Sequence, residues 1–365
     1  MATTPEPRQG RTASLQDVAT AAGVSLMTVS RAVNGRPWVN EATRAMVLGV
    51  AKELGYRPSR GARAMASGQV ESVTVLTSNT TLYGHATTLQ GIEEAARASG
   101  FSLGISVLDS PEPGAVRRAV ERIDAMTGVI VIAWDLASTR ALAAMPPGLA
   151  VAAVTSPTKA RKVTHASVWL DDERAAAVAT RYLLDLGHPT VHYVPLPEAR
   201  PMRPREVGWR RALQERGVPV PPPEAGGWDS HTGYNAGVIL AKDRGVSAVL
   251  CGNDDIALGV MRAMHEAGRD VPGNVSIIGF DDAPHAAFLS PALTTVRLDF
   301  NSLGRECFRL LQEVLVDSGI SPAIVISKPE LVIRESTARY RGSRRHKTGS
   351  SGSGGSGGSA AQADD

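Results

Sequence analysis

A chain of 365 residues with 43% hydrophobic and only 4% aromatic side chains can fill one small and one large core, built from Ala, Val, Leu and Ile. Nine Lys or Arg stand against four Asp or Glu in residues 1–70, whereas the whole chain carries only +3, so a basic head suited to nucleic acid precedes a near-neutral body. No secretory signal and no long apolar run argues for export or a membrane span, and Cys251 and Cys307 make neither a disulfide framework nor a metal cluster.

Residues 1–13 are polar and Pro-containing, and read as a disordered arm. Residues 14–34, SLQDVATAAGVSLMTVSRAVN, read as two short helices about a turn. Leu15, Val18, Ala19 and Ala22 share one face of the first helix, and Gly23 permits the sharp turn. Ser25 caps the second helix, and Val29 with Val33 gives it an apolar stripe. Ser25, Leu26, Met27, Ser30 and Arg31 fall on the opposite face, which is how a recognition helix addresses base edges in a major groove. Asn40 predicts the cap of a third helix, about 41–54, with Met46, Val47, Val50, Ala51 and Leu54 inward and Gly55 as its stop. Residues 14–57 thus make one three-helix domain. Pro58 opens SRGARAMASG, in which Arg60, Ala62, Arg63 and Met65 stand at helical spacing. The run is too short for a stable isolated helix, so 58–69 reads as a hinge or basic linker.

From Ser72 the texture becomes strand and helix in alternation. The strands are VTVLTS (73–78), FSLGISVL, VIVIA (129–133), LAVAAVT and SVWLD, with helices at 86–99, 112–125 and 138–145. The pattern then restarts: helix 172–186, strand VHYVPL, helix 205–216, a Pro- and Gly-rich loop at 217–227 and helix 230–244. AVLCG, helix 255–267, SIIGFDD, TTVRLD, helix 301–317 and ELVIRES complete it. Strands apolar on both faces and each followed by a helix predict parallel sheets, and the repetition predicts two similar lobes. The last stretch, 341–365, begins basic and ends Gly- and Ser-rich, a flexible tail.

The runs DVATAAGVSLMTVSRAVNG, VNEATRAMVLGVAKELGYRP and SRGARAMASG resemble the lac repressor family of bacterial transcription regulators, without a gap over most of 14–68 and more weakly to about 338. The resemblance implies a small all-α helix-turn-helix head plus an α/β two-lobed periplasmic-binding-protein-like domain at 70–340. It places lobe 1 at about 70–169 and 298–327, and lobe 2 at about 170–297 and 328–340, with crossings near 170, 297 and 327. It also makes 58–69 a hinge helix that folds on DNA and pairs with its twin in the minor groove, where the family inserts a Leu at a central CG step. This chain has Met65 there, similar in size and flexible enough to act as a wedge.

In the head, Leu26 and Met27 stand where the family reads bases. Apolar side chains can read a thymine methyl, and Arg31 can take a guanine. Ser25, Thr28, Ser30, Asn34 and Arg36 suit phosphates, with Arg60 and Arg63 beside the wedge. In the body, Arg205 opens REVGWRRAL, matching the family's Arg-x-x-Gly-aromatic signature, and its guanidinium can hold neighbouring hydroxyls or a carboxylate. Asn253 in CGNDDIALG and Asp281 in IIGFDD follow strand ends, where open α/β sheets bind ligands, although both residue types also serve caps and turns. Trp228 matches a position for an aromatic platform, and Asp171 falls at the first crossing. Asn79, Tyr83 and His85 lie in NTTLYGHA, which departs from the usual family wording.

The expectation is a cytoplasmic, homodimeric repressor that binds a palindromic double-stranded operator with a central CG step. A small effector, a sugar or sugar derivative, binds between the lobes and changes DNA affinity. No metal or cofactor is expected. The nucleophile-elbow, P-loop and HExxH patterns of enzymes are absent, and Asp254–Asp255 reads as a helix N-terminus. The rival reading is a sugar-binding protein or enzyme whose basic head serves a purpose other than DNA.

Overall fold

The computed structural model describes residues 13–33, 38–56, 72–124, 126–156, 165–197, 203–316 and 324–342. The head consists of α1 (Leu15–Ala22), α2 (Leu26–Val33) and α3 (Glu41–Glu53). Each start is fixed locally. Ser14 Oγ accepts from the Asp17 amide while the Asp17 carboxylate accepts from Ser14 N, a reciprocal cap. Ser25 Oγ accepts from Thr28 N at 3.1 Å, and Asn40 Oδ1 from Thr43 N at 2.7 Å. Gly23 closes α1 at φ +64°, a conformation that costs glycine nothing.

Val18, Ala19, Val29, Ala32, Val47 and Ala51 form the head's core. Two details differ from the sequence expectation. Ala32 rather than Val33 is the fully buried partner of Val29, and Met46 and Leu54 of the third-helix stripe are exposed. Val47 and Ala51, one turn apart, centre the buried face of α3; Met46 lies one residue off that line, and Leu54 follows the last helical residue.

The body holds two sheets. The first contains β1 (Ser72–Thr77), β2 (Ser102–Val107), β3 (Gly128–Ala133), β4 (Val151–Thr155), β5 (Ala166–Leu170) and β10 (Ile324–Ser327). Its order is β10-β5-β4-β3-β1-β2, and every pairing is parallel. Helices α4 (Tyr83–Ala98), α5 (Pro113–Glu121), α6 (Leu136–Ala143) and α11 (Phe300–Val316) belong to this lobe. The second sheet contains β6 (His192–Val194), β7 (Ala248–Cys251), β8 (Ser276–Asp281), β9 (Thr294–Arg297) and β11 (Glu330–Val332), ordered β11-β9-β8-β7-β6 with only β11 antiparallel. Its helices are α7 (Asp172–Asp185), α8 (Pro204–Glu215), α9 (Ser230–Lys242) and α10 (Asp254–Glu266). The chain passes from one sheet to the other after β5, after β9 and after β10.

Several elements begin or end away from their sequence-predicted positions. Asp135 accepts from Ser138 N at 2.9 Å and starts α6 two residues early, whereas α4 starts three residues early with no side-chain cap. The strand read in VHYVPL stops at Val194, since Pro195 has no amide to donate. Val129, Val131 and Leu76 pack with α5 and α6, while Ile130, Ile132 and Val75 belong to a core that continues through Phe300 and Leu170 into Tyr193 and Trp209 of the second lobe. That continuity holds the two lobes' facing ends at a common cleft.

Candidate functional site

The cleft opens between the lobes at the carboxyl ends of their parallel strands, where backbone amides and loop side chains converge. It encloses about 690 Å³ of space, its open mouth included. From the first lobe it is lined by Tyr83, His85, Trp134, Thr155, Ser156 and Phe300, and from the second by Asp172, Arg203, Arg205, Trp228, Asn253, Asp255 and Asp281, among others.

Arg205, on the first turn of α8, is only 7% exposed. Its Nε donates to Asp172 Oδ1 at 3.2 Å, its Nη1 donates to the Gly252 carbonyl, and Nη1 lies 3.5 Å from Asp281 Oδ1. The guanidinium also sits 4.5 Å from the Phe280 ring centre. Burial opposes its charge, but Asp172 and Asp281 outweigh burial and hold it protonated. Asp281 closes β8 at φ +106°. Burial pushes its carboxyl up to about 6, against the pull of Arg205. Burial and the field of Asp281 likewise raise Asp254, whose two oxygens accept from Thr295 Oγ1 at 2.6 Å and Ala283 N at 2.7 Å.

Asn253 reaches the cleft wall, but its side chain is already engaged: Oδ1 accepts from Ile256 N at 2.8 Å to cap α10, and Nδ2 donates to the Trp228 carbonyl at 3.0 Å. Trp228 carries the Arg203 guanidinium 5.3 Å from its ring centre and meets the edge of His85 at 5.9 Å. His85 is buried, which lowers its imidazole to about 4 and keeps it neutral near pH 7. Tyr83 meets Phe300 edge to face at 6.1 Å.

Two expected residues lie off this wall. Asp171 is the N-cap of α7, its Oδ1 accepting from Arg174 N at 3.1 Å, and the next residue, Asp172, faces the cleft. Asn79 folds back on its own turn, where Oδ1 accepts from the amides of Thr81 and Leu82, both at 2.8 Å. Arg203, which the sequence reading does not single out, also lines the cleft. It spans the lobes: Nε donates to the Pro197 carbonyl at 2.7 Å and Nη1 to the Trp134 carbonyl at 2.9 Å. Trp134 and Arg203 carried no recognisable sequence signal beyond the strand end before one and the helix after the other.

Three buried polar atoms on this wall make no hydrogen bond within the protein among the described residues: His85 Nε2, Thr155 Oγ1 and Asp281 Oδ1. A buried polar group without a hydrogen bond is costly, and a hydroxyl group has the donor and acceptor chemistry to satisfy each of the three.

On the head, Ser25 and Thr28 bond each other at 2.8 Å at the mouth of α2. Leu26 and Met27 project into solvent, 45% and 63% exposed, and Arg31 is exposed one turn on. Ser30 is half-buried on the same helix. Asn34, Arg36, Arg60, Arg63 and Met65 lie outside the described residues. Among the described residues no helix is long and apolar enough to cross a membrane.

Residues 14–59 match the bacterial regulatory proteins of the lacI family, and residues 180–337 match the periplasmic binding protein-like domain. Catabolite control protein A of Priestia megaterium is 29% identical over 341 residues, covering 89% of this chain and 99% of that protein. The lac repressor dimer bound to operator and the anti-inducer ONPF superposes with a TM-score of 0.79 at 27% identity, covering 90% of this chain and 100% of that one. The complex of the transcriptional regulator CelR with cellobiose superposes with a TM-score of 0.63 at 26% identity, covering 89% of this chain and 99% of that one.

Proposed function

Because the chain belongs to the lac repressor family of bacterial transcription regulators, we propose that it is a homodimeric cytoplasmic repressor whose operator affinity is set by a sugar or sugar derivative held between its lobes. The observation that carries the effector half is the set of three buried polar atoms without a hydrogen bond among the described residues, contributed by both lobes to one cleft. A polyol satisfies them all, with its C–H faces against Trp134 and Trp228. A ligand held by both lobes favours one interlobe angle over another and shifts the population of DNA-competent dimers.

Each head reads one half of a palindrome of roughly 14–20 base pairs, two α2 helices entering successive major grooves. Leu26 and Met27 contact thymine methyls, Arg31 takes a guanine, and Met65 wedges the central CG step. Replacing Met65 with Glu is expected to weaken specific binding about a hundredfold and random-DNA binding by only a few-fold, because a wedge acts only at a kinked step. Equal losses on both duplexes would remove the wedge assignment.

The deciding experiment is fluorescence anisotropy at fixed salt on palindromic duplexes with a central CG step, beside a scrambled control, repeated with mono- and disaccharides. About tenfold tighter binding to one duplex, altered by one sugar, supports this reading. Uniform binding that falls steeply with salt leaves only a basic head.

Asp281 adds a pH dependence. A hydroxyl that donates to the ionised carboxylate loses that acceptor when Asp281 protonates, so sugar affinity is expected to fall as pH is lowered through about 6. His85 stays neutral until about 4 and does not contribute in that range. Calorimetric titration from above the Asp281 value of about 6 down to about pH 5 checks it; a flat profile excludes a direct contact with Asp281.

A further inference from the structure

Asp281 and Asp282 are consecutive, non-glycine, and both at positive φ, +106° and +53°. Such backbone persists only where surrounding contacts over-determine it, and here they do. From within the lobe, Asp254 accepts from Ala283 N at 2.7 Å and from Thr295 Oγ1 at 2.6 Å. From the other side, Asp282 Oδ2 accepts from Arg297 Nε at 2.7 Å and Oδ1 from Arg334 Nη2 at 2.6 Å.

The two arginines occupy telling positions. Arg297 is the last residue of β9, immediately before the chain returns to the first lobe. Its Nη1 also donates to Glu330 at 3.1 Å, and Glu330 opens β11 just after the chain has come back. Arg334 follows β11, donates through Nη1 to the Leu293 carbonyl at 2.8 Å and through its amide to Thr294 Oγ1 at 2.9 Å. Asp282, about nine-tenths buried, therefore ties together the second-lobe ends of two of the three crossings. Its neighbour Asp281 faces the cleft wall with an oxygen that makes no hydrogen bond among the described residues and pairs only with the Arg205 guanidinium, 3.5 Å away.

We propose that the Asp281–Asp282 turn relays occupancy of the cleft to the interlobe crossings, with Asp282 as the positioning residue acting through Arg297 and Arg334. The proposal rests on the ligand-responsive reading above. A ligand bonded to Asp281 pulls on a turn that cannot flex internally, so the displacement passes to Asp282 and to the two crossing segments it holds. The turn itself makes no contact with DNA in this scheme; it biases the angle that spaces the heads.

The test uses the full chain as unmodified protein, Asp282→Asn and Arg297→Met. Three quantities are read: affinity for the sugar that the unmodified protein binds, by tryptophan fluorescence; the ratio of operator affinities with and without that sugar; and hydrogen exchange at 298–300 and 328–334. Sugar affinity is expected to stay within about threefold, while a ratio of the usual order of 5–150-fold collapses toward one. Exchange at both crossings accelerates about tenfold and that of β7 does not change. An unchanged ratio with normal sugar binding overturns the relay while the regulator reading stands. If the unmodified protein shows no sugar-dependent DNA binding, the regulator reading fails instead, and wild-type exchange at the crossings in both variants then removes the relay as well. Arg297 is half exposed, so its variant decides should Asp282→Asn fail to fold.

Discussion

Replacing Arg205 with Ala is expected to abolish the sugar response and to destabilise the second lobe, with DNA binding by the head largely kept below the melting temperature. The guanidinium is the common counter-charge of Asp172 and Asp281 and also satisfies the Gly252 carbonyl. Removing it leaves two buried carboxylates facing each other, and breaking a buried pair in this way costs about 3–5 kcal/mol. The deficit has a pH signature. A carboxyl whose folded-state pKa is raised contributes stability that is complete below its ordinary value near 3.8 and is lost as pH rises through about 6. Without Arg205 the carboxyl rises further, so the variant should recover part of its stability at pH 5 relative to pH 7.5. Thermal unfolding at both values, with a sugar titration beside it, makes the check. Wild-type melting and a wild-type sugar response would reduce Arg205 to a bystander.

Gly208→Ala is expected to produce the second large effect, although Gly208 touches no part of the cleft. A methyl group there would lie 1.9 Å from the Glu173 carbonyl oxygen and 3.1 Å from Ala177 N, both backbone atoms of α7. Backbone cannot swing aside like a side chain, so α8 must move off α7. Overpacking of this kind costs about 1–3 kcal/mol. The consequence for function is geometric, because Asp172 stands at the start of α7 and Arg205 at the start of α8, 3.2 Å apart. Separating the helices pulls that pair open, and sugar affinity should fall roughly tenfold, the change expected from a small misplacement of polar groups. Urea unfolding monitored by hydrogen exchange in α7 and α8, beside the Tyr193–Trp209 stack with its ring centres 5.2 Å apart, reports the lobe directly. A variant with an unchanged midpoint and unchanged sugar affinity would show that the helices adjust without cost.

This pair also explains the Arg-x-x-Gly-aromatic wording in physical terms. Arg205 supplies the cleft charge, Gly208 sets the helix spacing, and Trp209 fills the core with its Nε1 donating to the Val191 carbonyl at 2.9 Å. Three residues in little more than one turn of helix thus fix depth, distance and anchorage.

What could be read in the sequence follows the range of the forces involved. The caps at Ser25 and Asn40 and the turn at Gly23 are contacts between residues a few positions apart, so neighbouring letters suffice. The central strands of both sheets were legible for a similar reason, since burial on both faces leaves continuous apolar runs such as VIVIA, whereas β10 (Ile324–Ser327) was missed. Arg205, Asn253 and Asp281 were recognisable because each follows a strand or opens a helix within a short motif. Tertiary structure alone decided the wall of the cleft. One residue along α7 is a rotation of about 100°, so Asp172 rather than Asp171 faces inward, and only the helix's docking sets that phase. Asn79 had two local amides within reach and took them. Trp134, Thr155 and Arg203 come from segments far apart in the chain, and their meeting depends on how two separately built lobes are held across three crossings. Short-range hydrogen bonding determines the elements and the head; long-range packing determines which side chains share a cavity.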